Sequence, residues 1–135
     1  MKRGLILAGL VLAFAAAPAA ARQAPLIEPA PVQLSAATGQ PQTAEAVRAA
    51  IVEGALRLGW MVSKQEPGRL VLTYNKQGKH EVTIEVAYDA DKYQIKYLGS
   101  QNMNYEKTGE QAEIHPNYNR WISNLIAQIN KAALK

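Results

Sequence analysis

Apolar positions along the chain fall first in one unbroken run, then at helical spacing, then in alternation, and at the end at helical spacing again. Each rhythm predicts its own element, because side chains repeat every 3.6 residues on a helix and every second residue on a strand. Val47, Ala50, Ile51, Gly54 and Leu58 mark one face of a helix. Thr43 stands where its hydroxyl can cap that helix, Glu45 suits the positive first turn, and Gly59 stops it.

Four alternating segments follow, and matching their apolar faces across each turn sets the expected register. His80 to Tyr88 pairs with Tyr93 to Leu98 across the loop Asp89-Ala90-Asp91-Lys92, so that Tyr88 meets Tyr93, Val86 meets Ile95 and Ile84 meets Tyr97. Glu85 then falls opposite Lys96 on the solvent side. Arg69 to Asn75 joins this pair through a three-residue loop, Lys76-Gln77-Gly78, which sets Leu72 against Val82, Leu70 against Ile84 and Tyr74 against His80. The first strand, Trp60 to Gln65, turns at Glu66-Pro67-Gly68. Two facings fit it, with either Trp60 and Val62 or Met61 and Ser63 inward.

After the polar stretch Gly99 to Ile114, a second helix opens at Pro116 or Asn117, with Tyr118, Trp121, Ile122, Leu125, Ile129 and Ala132 as its apolar stripe. The expected fold is therefore α+β: helix, four-stranded antiparallel meander, helix, with both helices packed on one face of the sheet.

Composition divides the chain. Sixteen of the first 21 residues are apolar, behind the positive pair Lys2 and Arg3, and the run closes on Pro18-Ala19-Ala20-Ala21. That layout reads as a signal peptide over residues 1–21, cut between Ala21 and Arg22 because small side chains at Ala19 and Ala21 suit the peptidase. An uncleaved anchor is the competing reading, and a short, alanine-rich run with a late proline argues against it. No cysteine is present, so lipid attachment is excluded. Without Lys2 and Arg3 the charge of +4 falls to about +2, since 13 basic side chains then face 11 acidic ones. The case for a nucleic-acid partner falls with it. Residues 22–42, rich in proline, alanine and glutamine, read as a linker or extended arm, in which Leu26-Ile27 and Pro31 to Leu34 can lie along a sheet edge. The packed domain then spans residues 43–135.

Catalytic chemistry is thinly represented. Two histidines, two aspartates and no cysteine supply no metal-ligand spacing, and His80-Glu81 lacks the second histidine of a zinc protease helix because Ile84 stands in its place. Asp89 and Asp91 suit a turn better than a calcium loop, since the later oxygen ligands are missing. Neither a cofactor nor a metal is expected. The unusual feature is a concentration of amides and aromatic rings, with Ser100, Asn102, Asn104 and Tyr105 on one side of the long loop and His115, Asn117, Asn119 and Arg120 on the other. Amides offer donor and acceptor together and rings offer a stacking face, a pairing that suits sugars, peptide backbone and other polar neutral ligands.

Ala55-Leu56-Arg57-Leu58-Gly59-Trp60, Glu66-Pro67-Gly68, His80, Tyr93-Gln94-Ile95-Lys96-Tyr97, Ser100, Asn102 and, above all, Ile114-His115-Pro116-Asn117-Tyr118-Asn119-Arg120-Trp121-Ile122-Ser123-Asn124-Leu125 resemble a family of short exported proteobacterial proteins, often labelled lipoproteins or hypothetical proteins. The resemblance runs from about Val47 to Ile129. It implies export and a unit of this size, and it carries no mechanism.

The expected role is that of a periplasmic or secreted binding or envelope-associated domain without enzymatic activity. Its partner would be an envelope protein, peptidoglycan or a small polar ligand, taken up by the surface of residues 100–120. The alternative is a small hydrolase using His115 with Ser100 or a carboxylate. Pairing of two copies through a free sheet edge is a further expectation.

Overall fold

The computed structural model describes residues 23–134, so the apolar leader and its expected cleavage point lie outside the described residues. The fold is α+β with antiparallel sheets. Its elements in chain order are β1 (Ala24–Pro25), β2 (Val32–Gln33), α1 (Leu34–Thr38), α2 (Ala44–Arg57), β3 (Met61–Glu66), β4 (Arg69–Lys76), β5 (His80–Tyr88), β6 (Lys92–Gln101), β7 (Glu106–Thr108), β8 (Gln111–Ile114) and α3 (Asn117–Ala133). Among the described residues no helix is long and apolar enough to cross a membrane.

The strands β3 to β6 follow one another through a five-stranded sheet of order β2-β6-β5-β4-β3. The expected four strands thus become five, because β2 lies along the outer edge of β6, with Val32 opposite Tyr93. Proline-flanked chain is tolerated there, since an edge strand needs partners on one side only. The polar stretch after β6 is not simply a loop. It holds the hairpin of β7 and β8, which with β1 makes a second, three-stranded sheet.

Register follows from facing. Tyr88 meets Tyr93, Val86 meets Ile95, Ile84 meets Tyr97 and Glu85 meets Lys96, as the alternation requires. Beyond Tyr97 a bulge at Leu98 shifts the pairing, so that Thr83 faces Gly99 and Val82 faces Ser100. Between β4 and β5 the faces are as expected, but the pairing is displaced by two residues. Leu72 lies opposite Ile84, Tyr74 opposite Val82 and Lys76 opposite His80. The reason is the turn, Gln77-Gly78-Lys79, in which Gln77 and Gly78 both take positive φ and the Lys79 N–H donates to the Lys76 carbonyl. A shift of two leaves every side chain on its own face, so hydrophobic matching alone does not distinguish the two registers. Trp60, just before β3, and Val62 within it face inward, and Met61 is exposed.

A single core joins these layers. Leu70, Leu72, Val82, Ile84, Val86, Tyr93 and Ile95 from the sheet meet Val47, Ala50, Ile51 and Ala55 of α2 and Tyr118, Ile122, Leu125 and Ile129 of α3. Leu34, just beyond β2, is also fully buried in it. Each large apolar side chain removed from water in this way contributes about 1.5–3 kcal/mol. Thr43 caps α2 by accepting from the Ala46 N–H at 3.0 Å.

Candidate functional site

The chain leaves β6 through Asn102-Met103-Asn104, and the local sequence accounts for its path. Asn102 and Asn104 both hold positive φ, a conformation asparagine tolerates better than most residues. Between them Met103 turns inward and is buried. Its carbonyl accepts the His115 N–H at 2.7 Å, which ties the loop to the entrance of α3. The Asn102 side chain donates to the Lys79 carbonyl at 2.9 Å, and the Asn102 carbonyl accepts from Nδ1 of His80 at 2.8 Å. A carbonyl only accepts, so that nitrogen carries a proton. The rings of His80 and His115 lie with centroids 5.7 Å apart, tilted by 44°.

His115 works at the mouth of α3. Its Nδ1 accepts the Asn117 N–H at 3.1 Å, taking up one of the backbone donors that a helix start leaves unpaired. Pro116, in the N-cap position, offers no side-chain cap. Asn117 in turn accepts from Nη1 of the exposed Arg120 at 2.9 Å.

Tyrosines form the wall beside this entrance. Tyr97 stacks on Tyr105 with centroids 4.6 Å apart and meets Tyr118 edge-on at 5.7 Å. Ser100 and Tyr97 share a hydroxyl hydrogen bond of 2.7 Å. Burial raises the Tyr97 phenol above its ordinary range, partly offset by that bond to Ser100. Burial raises Tyr118 further, aided by the nearby Glu28 carboxylate and Tyr97. The Tyr118 hydroxyl is buried and meets no hydrogen-bonding partner among the described residues.

Asn119 completes the surface and reaches across to the arm. Its Oδ1 accepts the Ile27 N–H at 3.1 Å, and its Nδ2 donates to the Pro25 carbonyl at 2.9 Å. On the far side of the arm the Leu26 N–H donates to the Ala112 carbonyl at 2.9 Å, in line with β1 pairing on β8. Gln23 donates to the Asn104 carbonyl at 2.8 Å, and the Tyr97 N–H donates to the Glu28 carboxylate at 3.2 Å.

All eight residues singled out in the sequence therefore belong to one region, the end of β6, the chain that follows it and the start of α3. Their roles differ. Asn102 and Asn104 shape the loop, Ser100 is held by Tyr97, and Asn117 and His115 serve the helix entrance, whereas Asn119 holds the arm and the exposed Tyr105 and Arg120 rest on Tyr97 and Asn117. Ser100 Oγ bonds the Tyr97 hydroxyl, and Nδ1 of His115 accepts the Asn117 N–H. Sequence reasoning missed Gln23, Glu28, Tyr97 and His80 as members of this surface. The first two lie more than 65 residues away along the chain from the groups they bond. The signal for Tyr97 was present as a core-face tyrosine at the sheet edge.

Among the described residues no three or more His, Asp or Glu side chains gather to hold a metal ion. A broad groove of about 580 Å³ opens elsewhere, between the start of α2 and the turns after β3 and β5, lined by Arg48, Glu66, Pro67, Gly68, Tyr88 and Asp89 among others. None of the eight residues lines it. No family model, curated protein or solved structure matches the chain.

Proposed function

We propose that the chain is an exported, periplasmic binding or envelope-associated domain without enzymatic activity. Its surface of residues 100–120 recognises a polar partner, which is an envelope protein, peptidoglycan or a small polar ligand. In this reading both long helices cover one face of the sheet, which the shared core supports.

The observation that carries the reading is the bidentate grip of Asn119, whose amide accepts from one peptide unit and donates to another of an extended segment. A surface that holds main chain in this way suits ligands rich in amide groups. Beside it, the exposed Tyr105 offers a ring face already fixed by stacking on Tyr97, and Arg120 offers a charge.

The test is titration of the isotope-labelled full chain with soluble peptidoglycan fragments and with extended peptides, following backbone amide signals. Shifts concentrated in residues 100–120 are expected. The double substitution Tyr105→Ala with Arg120→Ala should weaken binding at least tenfold without moving Tm. Shifts centred elsewhere, or binding indifferent to this pair, would overturn the proposal.

A further inference from the structure

The segment Gln23 to Glu28 lies on the molecule as a bound peptide lies on a receptor. One side of its backbone adds to β8 as a strand, and the other is read by Asn119. Main-chain pairing on one side with pockets for selected side chains is the mode by which sheet edges take up extended peptides. We infer that this slot is a receptor for an extended segment of a partner protein, and that the chain's own arm occupies it in cis. The inference rests on the reading of residues 100–120 as a binding surface and names its ligand class.

Each position of the seated segment states a requirement. Pro25 needs only its carbonyl, which Asn119 takes, and its missing N–H costs nothing opposite Glu113. Leu26 donates its N–H to Ala112 and packs its side chain against the core. Ile27 is held by its N–H while its side chain is 58% exposed, so any residue but proline fits. Glu28 satisfies the edge N–H of Tyr97 with a carboxylate oxygen. The ligand is thus an extended peptide of pattern proline, apolar, any but proline, acidic.

The arm is built to leave. Its strand is two residues long, its polar contacts are exposed, and Pro29 and Pro31 separate it from β2 without N–H groups to anchor it. Short, exposed pairing of this kind belongs to the low-stability end of a fold. Exchange of arms between two copies would only put the same arm in the same slot, whereas another protein carrying such a segment also reaches the exposed Tyr105 and Arg120 beside it, so the slot is assigned to another protein.

The experiment uses the full chain carrying Leu26→Ser and Glu28→Ala, which weaken the cis arm and leave the slot intact. The probe is a capped synthetic peptide of residues 23–29. Expected are shifts at the amides of Glu113, Asn119 and Tyr97, affinity at least tenfold weaker for the chain with its native arm, and loss of binding on Asn119→Ala. Absence of those shifts at millimolar peptide, or indifference to Asn119→Ala, overturns the inference. Amide exchange in the unsubstituted chain tests it without any variant. Leu26 and Ile27 should exchange far faster than Leu72 and Ile84, and exchange only through global unfolding overturns it. A concentration-dependent dimer abolished by Asn119→Ala also overturns it, in favour of arm exchange between copies. If the peptide fails while peptidoglycan fragments still shift residues 100–120, only this inference falls. If nothing shifts that surface, the broader proposal falls with it.

Discussion

Gly54 of α2 lies so close to the backbone of Ile129 in α3 that a β-carbon on it would stand 2.7 Å from the Ile129 nitrogen. Real β-carbons do not approach so near, and the obstacle is backbone, which cannot rotate aside. The glycine therefore sets the spacing of the two long helices and, through it, the seating of Ile129 in the core.

Gly54→Ala should accordingly destabilise the protein although alanine is the better helix former. The propensity gain is about 1 kcal/mol, whereas forced overpacking costs about 1–3 kcal/mol and here requires the helices to part. A net loss of up to about 2 kcal/mol is expected, read as a lower midpoint in urea unfolding. Gly78→Ala offers a contrast. Nothing lies within 4 Å of a β-carbon there, so its cost comes from positive φ alone.

Two buried tyrosines give opposite expectations. The Tyr93 hydroxyl donates to Asn130 at 2.8 Å, and the Tyr118 hydroxyl meets no hydrogen-bonding partner among the described residues. Removing a satisfied hydroxyl costs about 1 kcal/mol, whereas removing an unsatisfied one relieves a penalty of similar size or larger. Tyr93→Phe should lower the unfolding free energy and Tyr118→Phe should raise it. The sign of the second change decides the point.

Both phenols are held above the ordinary tyrosine range, chiefly by burial. Their contribution to stability is whole below the unfolded value near 10 and is lost as pH rises through the folded one. In an absorbance titration of tyrosinate, these two should ionise only together with alkaline unfolding. Comparison with the two Phe variants assigns the missing signal, and reversible ionisation of all six tyrosines before unfolding would contradict it.

What the chain revealed by pattern and what it hid have physical causes. Alternation identified the faces of β4, β5 and β6 because burial on one face constrains parity. It missed the two-residue displacement at Lys76 and His80 because parity is unchanged by it. The helix opening at Asn117 was legible from its stripe. The hairpin of β7 and β8 was not, since Glu106, Lys107 and Thr108 are all exposed and leave no apolar trace. The amide-rich residues announced a special region, yet their division into loop-shaping and outward-facing groups depended on φ values and on the arm. Contacts such as Gln23 with Asn104 span 81 residues and carry no local signature.

Asp89 organises the turn between β5 and β6. Its carboxylate accepts the N–H groups of Asp91 at 2.8 Å and Lys92 at 3.0 Å, and these bonds, the first above all, hold its pKa below the ordinary carboxylate value. A depressed folded pKa contributes stability above the unfolded value near 3.8 and loses it as pH falls through the folded one. Asp89→Ala should therefore weaken the protein at pH 7 and flatten the fall of its stability as pH drops below the unfolded value near 3.8. Urea midpoints across that range measure both effects, and parallel curves for the two proteins would refute the assignment.

His115 closes the case at the mouth of α3. Pro116 leaves the helix without an ordinary side-chain cap, and Nδ1 of His115 takes the Asn117 N–H instead. Loss of a capping acceptor costs about 0.5–2 kcal/mol. His115→Ala should fall in that range, and His115→Asn, whose side-chain oxygen can accept the same N–H, should recover part of it. The partner test must be read against this background, because a weakened helix entrance also loosens Asn119 two residues further on. If His115→Asn restores stability and ligand shifts at Asn119 together, the histidine serves the surface by holding its helix; if stability returns without them, the ring itself meets the ligand.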